Sequence, residues 1–364
     1  MAHSPAPDAD RDAVLTEARR LRVARPPSIL DRAPSSWTGP ARAYYSIGKY
    51  AWPDPDAPDG LPYRRHDCEV NPAAAGPAYD RTRLATLVRE CRTLALAWLL
   101  QPDPATADAL AARLRTWFVD PATAMEPHLR HAAALPGVHD GSWLGLIEGA
   151  RLIGLVDDLD LVAAREPTPS LRQALAGTRA WMARFADWYR TSEQGRRDAA
   201  ATNNHGLWYH LQTLAWAAFA DPADGDLPLL RERLTASALA QVGPAGTLPQ
   251  ELARPNALGY VVFTLLALAA ATERLEPHGT RLLEETAPSG ARVGKAFTWL
   301  AEHAHGLDGD PDEGGEPGRR AVLAWWVAER YPDHTGAAAL AQAWSGTATT
   351  EQRVRRTLGL RDWT

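Results

Sequence analysis

From Arg81 onward, apolar side chains recur every three or four residues with polar ones between them. In Arg81–Gln101 the apolar set is Leu84, Leu87, Val88, Cys91, Leu94, Ala95 and Trp98, the spacing of an amphipathic helix. Similar stretches at 104–118, 142–158, 169–190, 203–220, 226–241, 257–274, 292–303, 319–330 and 336–346 predict roughly a dozen helices in all. Asp103-Pro104 and Thr168-Pro169 read as helix starts, each a capping side chain followed by a proline in the first turn. No strand-like alternation persists anywhere, so the fold class is all-α. Short connections between the helices predict antiparallel hairpins. No repeat of fixed period is present.

Upstream the pattern changes. Residues 1–9 are expected to be disordered, and a short helix is expected at Asp10–Val23. From Pro26 to Pro77 the chain is rich in Pro, Gly, Asp and aromatics. This predicts a long ordered loop rather than a linker, because Tyr44, Tyr45, Tyr50, Trp52 and Tyr63 need burial or a ligand. The expected organisation is a tail and short helix at 1–25, then one helical domain at 26–364 with 26–77 as its loop region. The acidic, turn-rich segment 306–318 has aspartates spaced somewhat like a calcium loop. Its glycine and terminal glutamate are misplaced, so a solvated loop is expected.

Composition narrows the classes. The chain has 364 residues, 45% apolar and 23% charged, ordinary for a globular protein. Fourteen Trp stand against five Phe. A few of these flat faces can line a sugar cleft, while most are expected to pack between helices. A net charge of −5 gives no general field for nucleic acid, so a polyanion would need a local basic cleft. Cys68 and Cys91 do not make a disulfide framework. The first ten residues carry neither a basic nor an apolar signal region, and no apolar run reaches the length of a membrane span. A cytoplasmic location is expected, with no nucleic-acid or membrane partner.

Candidate chemistry gathers in two places. Asn203-Asn204-His205 is followed by Leu248-Pro249-Gln250-Glu251-Leu252-Ala253-Arg254 and then Tyr260. An amide pair, an imidazole, a guanidinium and a phenol can together neutralise a sugar carboxylate and move a proton beside it. Removing the proton next to a uronate carboxylate puts a second negative charge on its oxygens, and donors or a cation there lower that cost. Asn204, His205 and Arg254 supply them. A tyrosine with a free pKa of about 10 is a poor base alone. A neighbouring cation makes its phenolate more accessible. The phenol can also return a proton to a leaving oxygen on the same face. Taken singly, each residue has a plainer reading: Asn203-Asn204 as a helix cap, Glu251 with Arg254 as a surface pair, Tyr260 as core. The second place is the loop, where Lys49 and Arg64 lie near Tyr50, Trp52 and Tyr63. There a cation beside an aromatic can hold and stack a uronate. His66 alone carries little weight. His128, His131 and His139 lack metal-ligand spacing, so no metal or cofactor is expected.

The chain resembles the alginate lyase domain family. The resemblance rests on Tyr44-x-Ser46-x-x-x-Tyr50-x-Trp52-Pro53-Asp54-Pro55, then Gly60-Leu61-Pro62-Tyr63 and Asn71-Pro72. A second block is Trp188-Tyr189-x-Thr191-Ser192-Glu193-x-Gly195, then Ala200-x-x-Asn203-Asn204-His205-Gly206-x-Trp208-Tyr209-x-x-Gln212. The third is Gly246-x-x-Pro249-x-Glu251-Leu252-x-Arg254 with Tyr260. It implies an incomplete (α/α) toroid of about five to seven helical hairpins, with the N-terminal loop as groove wall or lid. It implies that Tyr260, His205, Asn204 and Arg254 are catalytic. Asn203, Lys49, Tyr50, Trp52, Tyr63, Arg64, His128, Trp143, Trp208 and Glu251 are the expected substrate-binding residues.

Departures from the family pattern include Glu126, His128, His131, Ala133, Ser142, Pro255 and Val261. They remove polar groups from the expected groove and add imidazoles while keeping the four central residues. The implied function is β-elimination across C4–C5 of a uronate in an alginate- or glucuronan-type polymer. Two alternatives stand beside it: a tailoring lyase acting on a small carboxylic acid, and a non-catalytic carbohydrate-binding protein on a lyase scaffold.

Overall fold

A computed structural model describes residues 8–35, 37–310, 318–360 and 362–363. The expected disorder at 1–9 thus falls almost wholly outside the described residues, as does most of the acidic segment 306–318. The chain divides into two compact units. One comprises Arg11–Asp198 and Ala215–Asp224, the other Met1–Asp10, Ala199–Leu214 and Gly225–Thr364.

The protein is all-α in class, and most predicted helices lie where periodicity puts them. They include Arg81–Leu100, Pro169–Thr191, Asn204–Ala220, Leu227–Gln241, Ala257–Leu275, Lys295–His303, Arg319–Arg330 and Thr335–Trp344. Both proline starts are capped. Asp103 accepts from the Thr106 N–H at 3.0 Å, and Thr168 from the Leu171 N–H at 3.3 Å. Helix Pro104–Leu114 runs on as a π turn, Arg115–Val119. The stretch expected as one helix at 142–158 begins instead as a 3-10 segment, Trp143–Arg151, before Leu152–Ala163. It lies close against residues 131–134: a Cβ on Gly145 would come within 2.5 Å of Ala132. Glu193–Ala199, Pro249–Leu252 and Thr350–Thr357 escaped prediction because they are too short to show a period.

In the first unit, Phe118, Trp181, Phe185, Tyr189 and Trp216 form a chain of ring contacts with centroids 4.6–4.9 Å apart. The Trp181 indole donates to the Met125 carbonyl and the Tyr189 hydroxyl to that of Leu146. These two buried polar tips keep partners while the rings fill space.

The described residues of the long loop are not free of strands. Tyr45–Ile47 pairs in parallel with His131–Ala134, and Ala51–Trp52 pairs antiparallel with Arg64–Arg65. These pieces are too short to show an alternation. A buried carboxylate anchors the loop. Glu148 accepts from the Tyr44 hydroxyl at 2.5 Å, Ser46 Oγ at 3.0 Å and Arg81 Nη2 at 2.6 Å. Burial and the adjacent carboxylate push the Tyr44 phenol well above its ordinary pKa, which keeps it a donor. A second anchor is Asp80, which accepts from Arg32 and from the Tyr45 N–H.

In the second unit, helix Ala257–Leu275 is apolar on nearly every side. The sequence reading that no apolar run reaches a membrane span needs correction here. Ala257–His278 is long and apolar enough by composition, and 72% of its most apolar window is buried inside the protein. All-round apolarity in this helix reflects all-round packing. Trp326 packs on Phe297 with ring centroids 4.7 Å apart, and its indole donates to Glu273 at 2.7 Å.

Candidate active site

The Asn203 side chain turns the chain into helix Asn204–Ala220. Its Oδ1 accepts from the His205 N–H at 3.1 Å, and its carbonyl accepts from the Gly206 N–H at 3.1 Å. The cap reading of Asn203 is therefore correct as far as it goes, and the turn fixes where the His205 ring starts. Asn204 is 1% exposed and Glu251 2%. Asn204 donates twice to that carboxylate: its backbone N–H to Oε1 at 3.1 Å and its side-chain amide to Oε2 at 2.9 Å.

Proline at its first turn starts the short helix Pro249–Leu252. The Arg254 N–H closes the next turn on the Glu251 carbonyl at 3.1 Å. Asn256 then caps the following helix by accepting from the Gly259 N–H at 3.0 Å, which places Tyr260 in its opening turns. Arg254 Nη2 donates to the Tyr260 hydroxyl at 3.0 Å. The guanidinium carbon sits 4.0 Å from the centroid of the same ring. This cation contacts both the face and the oxygen of the phenol, so it stabilises negative charge that develops on that oxygen. His205, Arg254 and Tyr260 are each half-buried, so they keep some access to solvent. The second unit thus holds all four expected catalytic residues, with Asn203 and Glu251 bonded among them.

Other expected contacts are placed differently. Trp208 is 1% exposed and packs on Phe263 at 4.8 Å between centroids. It is core, not a sugar platform, because its helix turns that face inward. Tyr50 is 7% exposed, with the Lys49 ammonium 4.6 Å from its ring centroid. Its face is taken by that cation, which corrects the stacking role expected of it. Glu251 is likewise corrected: with both oxygens engaged by Asn204 in the interior, it does not present a carboxylate to a ligand.

Among the loop residues, Trp52 donates its indole N–H to the Glu69 carbonyl at 2.9 Å and remains part-exposed. Tyr63 packs on the cluster of Tyr45, Ile47, Ala74 and Ala134. Arg64 is exposed and pairs with Asp54 at 2.5 Å. Trp143 lies under the Arg197 guanidinium at 5.3 Å. His128 is bonded to Glu126 at 3.0 Å and tilted against Trp188 at 5.8 Å. Sequence reasoning missed Glu148 and Arg81. The one available signal was a carboxylate within the apolar run Leu144–Leu152. Among the described residues, no three His, Cys, Asp or Glu side chains group so as to hold a metal ion.

Burial lowers the pKa of His128, His131 and His210 below the usual histidine value of 6.5. Neutral His210 donates through Nε2 to the Ala199 carbonyl at 3.3 Å. A histidine whose folded pKa is depressed binds protons more readily when unfolded. Its contribution to stability is full above 6.5 and is lost as pH falls through the lowered folded value. Urea midpoints are therefore expected to fall between about pH 7 and pH 5.5. A His210→Gln variant should show a shallower fall, and an unchanged slope would contradict this source.

A family model described as alginate lyase matches residues 32–311. The chain belongs to the alginate lyase family. It is a polysaccharide lyase by that membership. An alginate lyase from Bacteroides ovatus superposes with a TM-score of 0.85 at 25% identity, over 97% of this chain and 93% of that one. Alginate lyase A1-III from Sphingomonas species A1 superposes at 0.53 with 16% identity, over 90% and 88%. A histidine-to-alanine variant of A1-III complexed with a tetrasaccharide superposes at 0.56 with 15% identity, over 90% and 88%. The A1-III likenesses bear on the fold of this family member alone. No curated protein matches the chain.

Proposed function

We propose that this protein cleaves an alginate-type uronate polymer by β-elimination, with Tyr260 as base and acid. The supporting observation is the Arg254–Tyr260 pair, in which a guanidinium contacts both face and oxygen of a part-exposed phenol. Family membership, and the tetrasaccharide held by a variant of A1-III, support a polysaccharide as partner.

In the proposed reaction, His205, Asn204 and Arg254 neutralise the uronate carboxylate, which makes the C5 proton removable. Tyr260 as phenolate takes that proton, and the C5–H electron pair forms the C4–C5 double bond. The C4–O bond breaks, and the leaving oxygen receives the proton from the same phenol. No water is consumed, and the new non-reducing end is an unsaturated uronate. His205 can serve as base for the epimer whose C5 proton lies on the opposite face. Purified protein with polymannuronate, polyguluronate or glucuronan should raise the absorbance of a conjugated enoate on at least one polymer. No rise on any of them, or on their oligomers, would overturn the proposal.

A further inference from the structure

We infer that Glu251 is a positioning residue that fixes which end of the Asn204 amide meets the substrate and holds the Arg254–Tyr260 segment in register with the start of helix Asn204–Ala220. The inference rests on the reading that Asn204 binds the uronate carboxylate.

A primary amide can be turned end for end with little change in shape, but its nitrogen donates and its oxygen only accepts. At Asn204 the choice is forced. The Glu251 carboxylate is acceptor-only and takes the Asn204 backbone N–H and side-chain N–H together, at 3.1 and 2.9 Å. Turning the amide would set its oxygen against a buried carboxylate, with both residues at most 2% exposed. One N–H of the amide is thereby fixed on Glu251, and the other leaves the same nitrogen on a set bearing. The amide becomes a bridge with a defined donor, able to serve a second carboxylate.

The same contact sets register. Glu251 and Arg254 lie on one turn, closed by the Arg254 N–H on the Glu251 carbonyl at 3.1 Å. A neighbouring tether runs alongside: Gln250 Nε2 donates to the Thr202 carbonyl at 3.0 Å and to Thr202 Oγ1 at 3.3 Å. The segment carrying Arg254 is therefore pinned to residues 202–204. A negative group at the first turn of helix Asn204–Ala220 is also well placed for the helix dipole. A conserved-shape replacement of Glu251 would keep the volume and lose the rule about orientation.

Steady-state kinetics on a uronate oligomer, with urea denaturation of every variant, test this. Glu251→Gln offers one acceptor where two donors need one each. It is expected to lower kcat about a hundredfold, with KM within about threefold of the parent. In an Asn204→Ala background it should cause no further loss, because the side-chain donor is gone and the one Gln oxygen still serves the backbone N–H that remains. The exchanged pair, Asn204→Asp with Glu251→Gln, reverses donor and acceptor. It should regain stability relative to Asn204→Asp alone while leaving turnover low, which separates orientation from folding. Parent-like turnover in Glu251→Gln or in the exchanged pair would overturn the inference, as would multiplying losses in the double variant. An inactive parent would overturn the elimination reading itself, and this one with it.

Discussion

Replacing Tyr260 with phenylalanine is expected to lower turnover by about 10²- to 10⁴-fold. The ring remains, so the Arg254 guanidinium keeps the face it covers at 4.0 Å. What is lost is the oxygen that accepts from Arg254 Nη2 at 3.0 Å. In the proposed reaction that oxygen is engaged only while a proton is moving, so kcat should carry the loss and KM should change little. The unfolding free energy from urea denaturation should fall by no more than about 1 kcal/mol, the scale of one part-exposed hydrogen bond. Kinetics and denaturation on one preparation read both quantities. Undiminished turnover would remove Tyr260 from the chemistry.

The second large effect is on stability. Glu148→Leu leaves the Arg81 guanidinium without its carboxylate, and it leaves the Tyr44 and Ser46 hydroxyls without their acceptor. Breaking a buried pair by removing one partner costs about 3–5 kcal/mol. Because Tyr44 and Ser46 lie in the loop region, the loss should appear first as faster proteolysis of residues 26–77 and then as a lower urea midpoint. A loss under about 1 kcal/mol would mean that the other anchor, Asp80 with Arg32 and Tyr45, holds the loop by itself.

Much of this arrangement was legible in the chain. The longer helices announce themselves through period and cap, as Thr168-Pro169 does for the 23-residue helix that follows it. The four residues assigned to the proposed chemistry were singled out by their types together with the family-like frame around them, and the structure places them in one unit. The burial of Trp208 and Tyr50 was not legible. A tryptophan in a motif reads the same whether its helix turns it inward or outward, and only the Phe263 contact decides the matter. Glu148 escaped for a different reason: its donors lie 67 to 104 residues away in sequence. Contacts that distant leave no local pattern. Glu251 was noticed as chemistry but placed on the substrate, since spacing cannot tell a residue that touches a ligand from one that aims its neighbour.

The decisive experiment uses a uronate oligomer deuterated at C5, digested to completion, with products weighed by mass spectrometry. Elimination through Tyr260 predicts an unsaturated product that has lost the label at its new end, with no water gained. A product that keeps deuterium at C5 and gains a water would mean hydrolysis, and the chemistry assigned to these residues would be wrong.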